Sequence, residues 1–349
     1  MPASSRLTAA ALVTLGLTLG LVAPALHAQT SAPAPDSVGE AKLRAPGVRM
    51  VPVAGGRYHV WTQRVGRGPI TLLLLHGGPG TSPEYFENFP DQLGSRYTVY
   101  FYAQLGTYLS DQPADTALQT VAAKVEEVEA VRRALGLEQF YLLGHSWGNL
   151  LATAYAARYQ QHLKGLILAN ASPFATGRNQ DYQGQLIAAI ADSMGMPGVG
   201  DSIRAGLLNN SVNPRRTGEV MQAVMPVFFK RHYLRRDPWP DAAERSRLHS
   251  RARFNGPLTR DMNRTDFAPL LATVAVPTLL LGSEYDYIPP ADYPRMRQTM
   301  AGNANVTVTV VPGGAHFAMW DAPGLFFGAI RAFVDAQERT APQRGTPRR

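Results

Sequence analysis

The chain has 349 residues, 45% of them hydrophobic and 17% charged, with a formal net charge of +8. That length supports one large core or two domains, and the apolar fraction is too high for a disordered chain. With no cysteine, disulfides, cysteine-ligated zinc, iron–sulfur clusters and thiol catalysis are excluded. Export is not, because a chain that buries a good core needs no covalent staples.

Residues 1–28 read as a secretory signal peptide. Arg6 is the only charge before Asp36, Leu7 to Val22 are almost wholly Leu, Ala, Val, Thr and Gly, and Ala28 is a small residue at a cleavage position. The apolar run is short for a membrane span, which needs about 20 residues. The mature chain is therefore expected to be exported, periplasmic or secreted, without stable membrane insertion. Residues 29–46, rich in Pro, Ala and Ser, read as a flexible leader.

Strand-like segments follow at 57–64, 70–75, 97–102, 139–143, 164–169, 277–281 and 305–311. Several are unbroken apolar runs, as suits parallel strands covered on both faces. Helical segments alternate with them. In 119–135, Val121, Val125, Val128, Val131 and Leu135 recur at helical spacing, and Gly136 closes the run. Segments 149–159 and 324–336 are further helices. The fold class is therefore α/β, a mostly parallel sheet flanked by helices. Residues 47–172 and 263–340 form that core. The alternation breaks at 173–262, which reads as an inserted helical lid with aromatic residues at Phe228, Phe229, Tyr233, Trp239 and Phe254.

The chemistry is carried by Gly144-His145-Ser146-Trp147-Gly148, which follows one strand segment and precedes one helical segment. That is the context of a nucleophile elbow, a sharp turn that lifts a serine hydroxyl from the sheet edge. Serine needs a base. Downstream of the lid the sole histidine is His316, in a loop after strand 305–311. An acid belongs after the preceding strand, where both Glu284 and Asp286 stand; Asp286 is the choice and Glu284 its rival, because spacing on its own does not separate them. Ser146 would attack a carbonyl, His316 would carry the proton and Asp286 would orient the imidazole. Oxyanion donors are expected from the Trp147 amide and from the loop His76-Gly77-Gly78-Pro79-Gly80, with Gly78 as the choice. His145 and His76 read as packed, hydrogen-bonded neighbours.

Together HGGPG at 76–80, GHSWG at 144–148, PTLLLGSEYD at 277–286, GGAH at 313–316, FFKRHYLRRDPWP at 228–240 and RFNGP at 253–257 resemble the proline iminopeptidase family. The resemblance implies the α/β-hydrolase fold, the triad Ser146, Asp286 and His316, an oxyanion hole of Gly78 and Trp147, and no metal or organic cofactor. It implies a serine hydrolase that forms an acyl-enzyme and releases N-terminal residues, proline preferred, from short peptides. A broader esterase or amidase on the same triad is the alternative. Two departures stand out. The Asp that usually opens the loop after strand 97–102 is Ala103, followed by Gln104. The lid acid that usually follows NGP and holds the substrate amine is replaced by Leu258-Thr259, which leaves Glu219 and Glu244 as candidate amine binders. Residues 213–264 hold twelve Lys or Arg and five acids. A nucleic-acid partner is not expected, because no binding motif accompanies that charge; a small peptide, amide or ester is.

Overall fold

The structure is a computed structural model that describes residues 42–174, 176–208, 213–250 and 252–340, with side chains 176–180 and 252–255 outside that description. The signal segment and residues 29–41 of the expected leader lie outside it. Residues 42–46 are described, and there Lys42 pairs with Glu84 of the core.

Eight strands form one sheet: β1 (Val48–Val53), β2 (Tyr58–Val65), β3 (Ile70–Leu75), β4 (Tyr97–Tyr102), β5 (Phe140–His145), β6 (Leu163–Ala169), β7 (Thr278–Ser283) and β8 (Val306–Val311). Their order is β1-β2-β4-β3-β5-β6-β7-β8. β2 pairs antiparallel with β1 and β4, and the remaining pairs are parallel. The expected strands are all present. β1 has no sequence expectation: Pro52 and Arg49 interrupt its pattern, which an edge strand tolerates because one side of its ladder is unpaired.

The parallel strands are apolar on both faces because both are covered. Leu73, Leu75, Leu142, Leu166, Leu168 and Leu280 pack with residues of helices α2 (Val121–Leu135) and α3 (Trp147–Tyr159). Leu72, Leu74, Leu143, Ile167, Leu279 and Leu281 pack on the other face with α1 (Phe89–Leu93) and α12 (Pro323–Thr340). Each fully buried Leu contributes ~1.5–3 kcal/mol, so the sheet is the stable frame. Gly136, left-handed at φ 67°, stops α2 as expected.

Between β6 and β7 the chain runs through α4 (Thr176–Ser193), α5 (Val199–Arg204), α6 (Pro214–Phe228), a π-turn (Phe229–Tyr233), α7 (Asp241–Leu248), α8 (Ala252–Arg264) and α9 (Phe267–Ala272). This insertion has its own small core of Ile187, Ile190, Ala191, Val199, Val220, Val224 and Phe228. Two more helices, α10 (Asp292–Thr299) and α11 (Ala318–Asp321), sit in the β7–β8 and β8–α12 connections. No described helix is long and apolar enough to cross a membrane.

Candidate active site

β5 ends at His145 and α3 begins at Trp147, so one residue makes the turn. Ser146 holds φ 56° and ψ −127°, a region costly for any residue with a side chain. Two close approaches impose it. A Cβ on Gly144 would lie 2.0 Å from the Gly148 carbonyl oxygen, and one on Gly148 would lie 2.0 Å from that of Leu75. The Ser146 amide donates to Ala169 at 3.0 Å, which ties the turn to β6.

The glycine loop after β3 closes over the serine. A Cβ on Gly77 would lie 3.2 Å from the Ser146 Oγ. The Gly77 amide donates to the Tyr85 hydroxyl at 2.7 Å. The Gly78 amide has no acceptor among the described residues. The Trp147 amide is the first of α3, one of the donors a helix leaves without an internal partner. Two backbone N–H groups, Gly78 and Trp147, are thus free to meet a developing oxyanion.

A residue not singled out in the sequence braces this half. The Gln104 Oε1 accepts from the Trp147 indole at 2.9 Å, and its Nε2 donates to the His76 carbonyl at 2.9 Å. The Gln104 amide donates to the His76 Nε2 at 3.1 Å. Burial lowers the His76 pKa to about 4, so the ring stays neutral and can accept. The loop holds with Ala103 in place of Asp because other groups secure it. Leu105 donates its amide to Glu127 at 2.7 Å, and its carbonyl accepts from Lys124 at 2.7 Å.

His316 lies in the loop after β8 and is 2% exposed. Its Nδ1 meets the Asp286 Oδ1 at 2.9 Å. Asp286 also accepts from Asn170 at 2.7 Å and from the Ile288 amide at 3.1 Å. Glu284, the rival carboxylate, instead accepts from the Gly313 amide at 2.9 Å at the surface. A fully buried carboxylate on Nδ1 fixes the tautomer with the proton there and leaves Nε2 as an acceptor. His145 is a neighbour, as expected. It donates from Nε2 to the His316 carbonyl at 2.8 Å, and its Nδ1 accepts from the Tyr85 hydroxyl at 3.1 Å. Tyr85 therefore links the glycine loop to the histidine loop.

The insertion supplies a roof. His316 and Phe317 donate their amides to the carbonyls of His232 and Tyr233 at 3.2 and 2.9 Å. The Tyr233 ring stacks on His316 at 5.4 Å and on Trp239 at 5.8 Å. Pro226 cannot donate within α6, and the π-turn that follows carries Tyr233. The side chain of Phe254, the remaining member of the expected aromatic group, lies outside the described residues.

Tyr287, directly after Asp286, is a site residue that the sequence analysis does not reach. Its hydroxyl lies 3.1 Å from the His316 Nε2. No hydrogen bond joins Ser146 and His316 directly. Burial pushes the Tyr287 phenol well above its usual range, while a side-chain hydrogen bond with Ser146 acts against that rise. The expected amine binders are elsewhere engaged. Glu219 is half exposed and pairs with Arg215 and Arg216 within α6. Glu244 pairs with Arg247 within α7, which lowers its pKa. The excess charge of the insertion is in part neutralised locally, as by Lys230 with Asp237.

The α/β-hydrolase-fold family matches residues 70–323. The proline iminopeptidase of Elizabethkingia meningoseptica is 35% identical over 304 residues, which cover 82% of this chain and 97% of that protein. That of Flavobacterium johnsoniae is 33% identical over 303 residues, with the same coverage. The crystal structure of the Mycobacterium smegmatis proline iminopeptidase superposes with a TM-score of 0.66 at 24% identity, covering 84% of this chain and 99% of that one. The chain belongs to the proline iminopeptidase family of α/β-hydrolases and is a hydrolase.

Proposed function

We propose that this hydrolase is a serine aminopeptidase in which Ser146 is the nucleophile, His316 the base and Asp286 its orienting acid. The observation that carries the reading is the buried Asp286–His316 pair together with a serine held on a strained elbow. Ser146 attacks the carbonyl of the substrate's first residue and gives its proton to the Nε2 of His316. The oxyanion forms against the two amides. The intermediate collapses, His316 protonates the departing amine, and water hydrolyses the acyl-enzyme by the same steps in reverse order. The insertion acts as a lid over the acyl group. Short peptides with N-terminal proline are the proposed substrates, by likeness to the named relatives. The mature enzyme is proposed to be exported, beginning after Ala28.

One observation favours the broader esterase or amidase reading. Glu219 and Glu244 are both paired with arginines of their own helices, so a substrate ammonium would compete with a neighbouring guanidinium for either. A matched panel separates the two: free and N-blocked proline arylamides beside short acyl esters, with the wild type and Ser146→Ala, on protein whose N-terminus is sequenced after export. The aminopeptidase hydrolyses the free arylamide and not the blocked one. Equal turnover of both assigns the broader activity, and turnover that survives Ser146→Ala removes the nucleophile. An N-terminus that retains residues 1–28 removes the cleavage after Ala28.

A further inference from the structure

The triad reading leaves one group in an unexpected place. A serine hydrolase needs the Nε2 of its histidine open to the serine proton. Here the Tyr287 hydroxyl stands 3.1 Å from that nitrogen. With the Nδ1 proton of His316 committed to Asp286 at 2.9 Å, Nε2 can only accept, so the tyrosine donates to it. The rings lie 4.4 Å apart at 35°, so the whole side chain covers the imidazole and not its hydroxyl alone.

We propose that Tyr287 is a specificity-determining plug: in the closed resting enzyme its hydroxyl occupies the His316 Nε2, and a substrate must displace it before Ser146 can be deprotonated. The proposal rests on the triad reading and deepens it. The roof controls the plug. The Tyr287 ring stacks against Tyr233 at 6.2 Å and 9° and packs against Phe228 at 6.0 Å, both from the insertion. Its loop is latched to the insertion where His232 Nδ1 meets the Tyr285 carbonyl at 2.8 Å. An acyl group that lifts Phe228 and Tyr233 therefore also frees Tyr287. A ligand too small to lift them leaves the base covered. Selectivity for substrates that fill the space under the roof follows from that link.

A rival role is a proton relay from Ser146 through Tyr287 to His316. The two roles make opposite predictions for Tyr287→Phe, which breaks a relay but uncovers the base.

The test is phosphonylation of Ser146 by a small fluorophosphonate. The Ser146 Oγ–P bond forms, the P–F bond breaks with loss of fluoride, and the serine proton passes to the His316 Nε2. Tyr287→Phe keeps the ring and removes the hydroxyl. The plug predicts a rate constant about two- to tenfold higher than wild type, the net worth of one neutral hydrogen bond. It also predicts a smaller preference for bulky over small acyl esters. An unchanged or lower rate overturns the proposal. A crystal structure of the wild-type adduct with a bulky phosphonate that fills the space under the roof gives an independent reading: Tyr287 is expected away from Nε2, and a hydroxyl still bonded there overturns the plug. Labelling that persists in Ser146→Ala would instead defeat the triad reading, which keeps the two failures apart.

Discussion

The sheet-borne half of the site is fixed by backbone in direct contact with backbone, whereas the half lent by the insertion is fixed by ring faces and a few hydrogen bonds. On the sheet side, Gly144 and Gly148 leave no room for a Cβ, and Gln104 and His76 lock the glycine loop to Trp147. On the insertion side, Tyr233 stacks on His316, and the half-buried carboxylate of Asp321 gathers the amides of Arg235, Arg236 and Ala315 at 2.8, 3.2 and 3.0 Å. The contrast teaches a division of labour. Groups proposed to act on charge are held where displacement is expensive, those proposed to choose the substrate are held where displacement is cheap, and Tyr287 stands at the join.

The largest effect expected breaks the sheet side. Asp286→Asn should lower kcat about 10⁴-fold, because the amide favours the wrong imidazole tautomer. Glu284→Gln should stay within about twofold, as surface substitutions do, since among the described residues that carboxylate meets the Gly313 amide at the surface. Steady-state rates on one ester check both, and the reverse ranking would move the acid to Glu284.

A smaller effect concerns stability. The folded pKa of His76 is about 4 against 6.5 when unfolded, so between those values the unfolded chain binds a proton that the native one does not. Stability therefore falls as pH drops from 6.5 toward 4, by about 3 kcal/mol over the window. His145, lowered well below its usual value by burial and by His316, adds in the same direction. Glu129, lowered to about 2 against its burial by hydrogen bonds from Arg132, Arg133 and Tyr155, loses its stabilisation only below 4.5. Urea midpoints against pH should decline from 6.5 downward, and His76→Gln should flatten that limb. A flat wild-type limb would detach the His76 brace from folding.

The smallest effect sharpens the roof. Asp321→Asn weakens three charge-assisted bonds by about 1 kcal/mol in all. KM for a peptide should rise about fivefold, while phosphonylation of Ser146 by a small probe should rise rather than fall, because a looser roof holds Tyr287 less firmly over the base. Equal loss in both would mean that the roof and the base are one mechanical unit.

Much of this was legible in the chain. β3 reads as ITLLLL because both its faces are buried, and α2 reads from its spaced valines and Gly136 because a helix repeats every 3.6 residues. Ser146, Asp286 and His316 could be named because each stands in a loop directly after a strand, and strands carry a strong local pattern. Gln104, Asn170 and Tyr287 were not legible as site residues. Their roles depend on partners 43, 116 and 29 positions away, and no local periodicity records such a pairing. Glu219 and Glu244 show the same limit from the other side, since a carboxylate four or three residues from an arginine on one helix turns to it.

The sequence by itself determined the strands and the elbow, because short-range sterics and apolar spacing act along the chain, and it offered the proposed order Ser146, Asp286, His316. Only the tertiary structure decided which carboxylate meets the imidazole and what occupies its far nitrogen. Those outcomes turn on a few ångströms between segments that the backbone brings together across the whole fold.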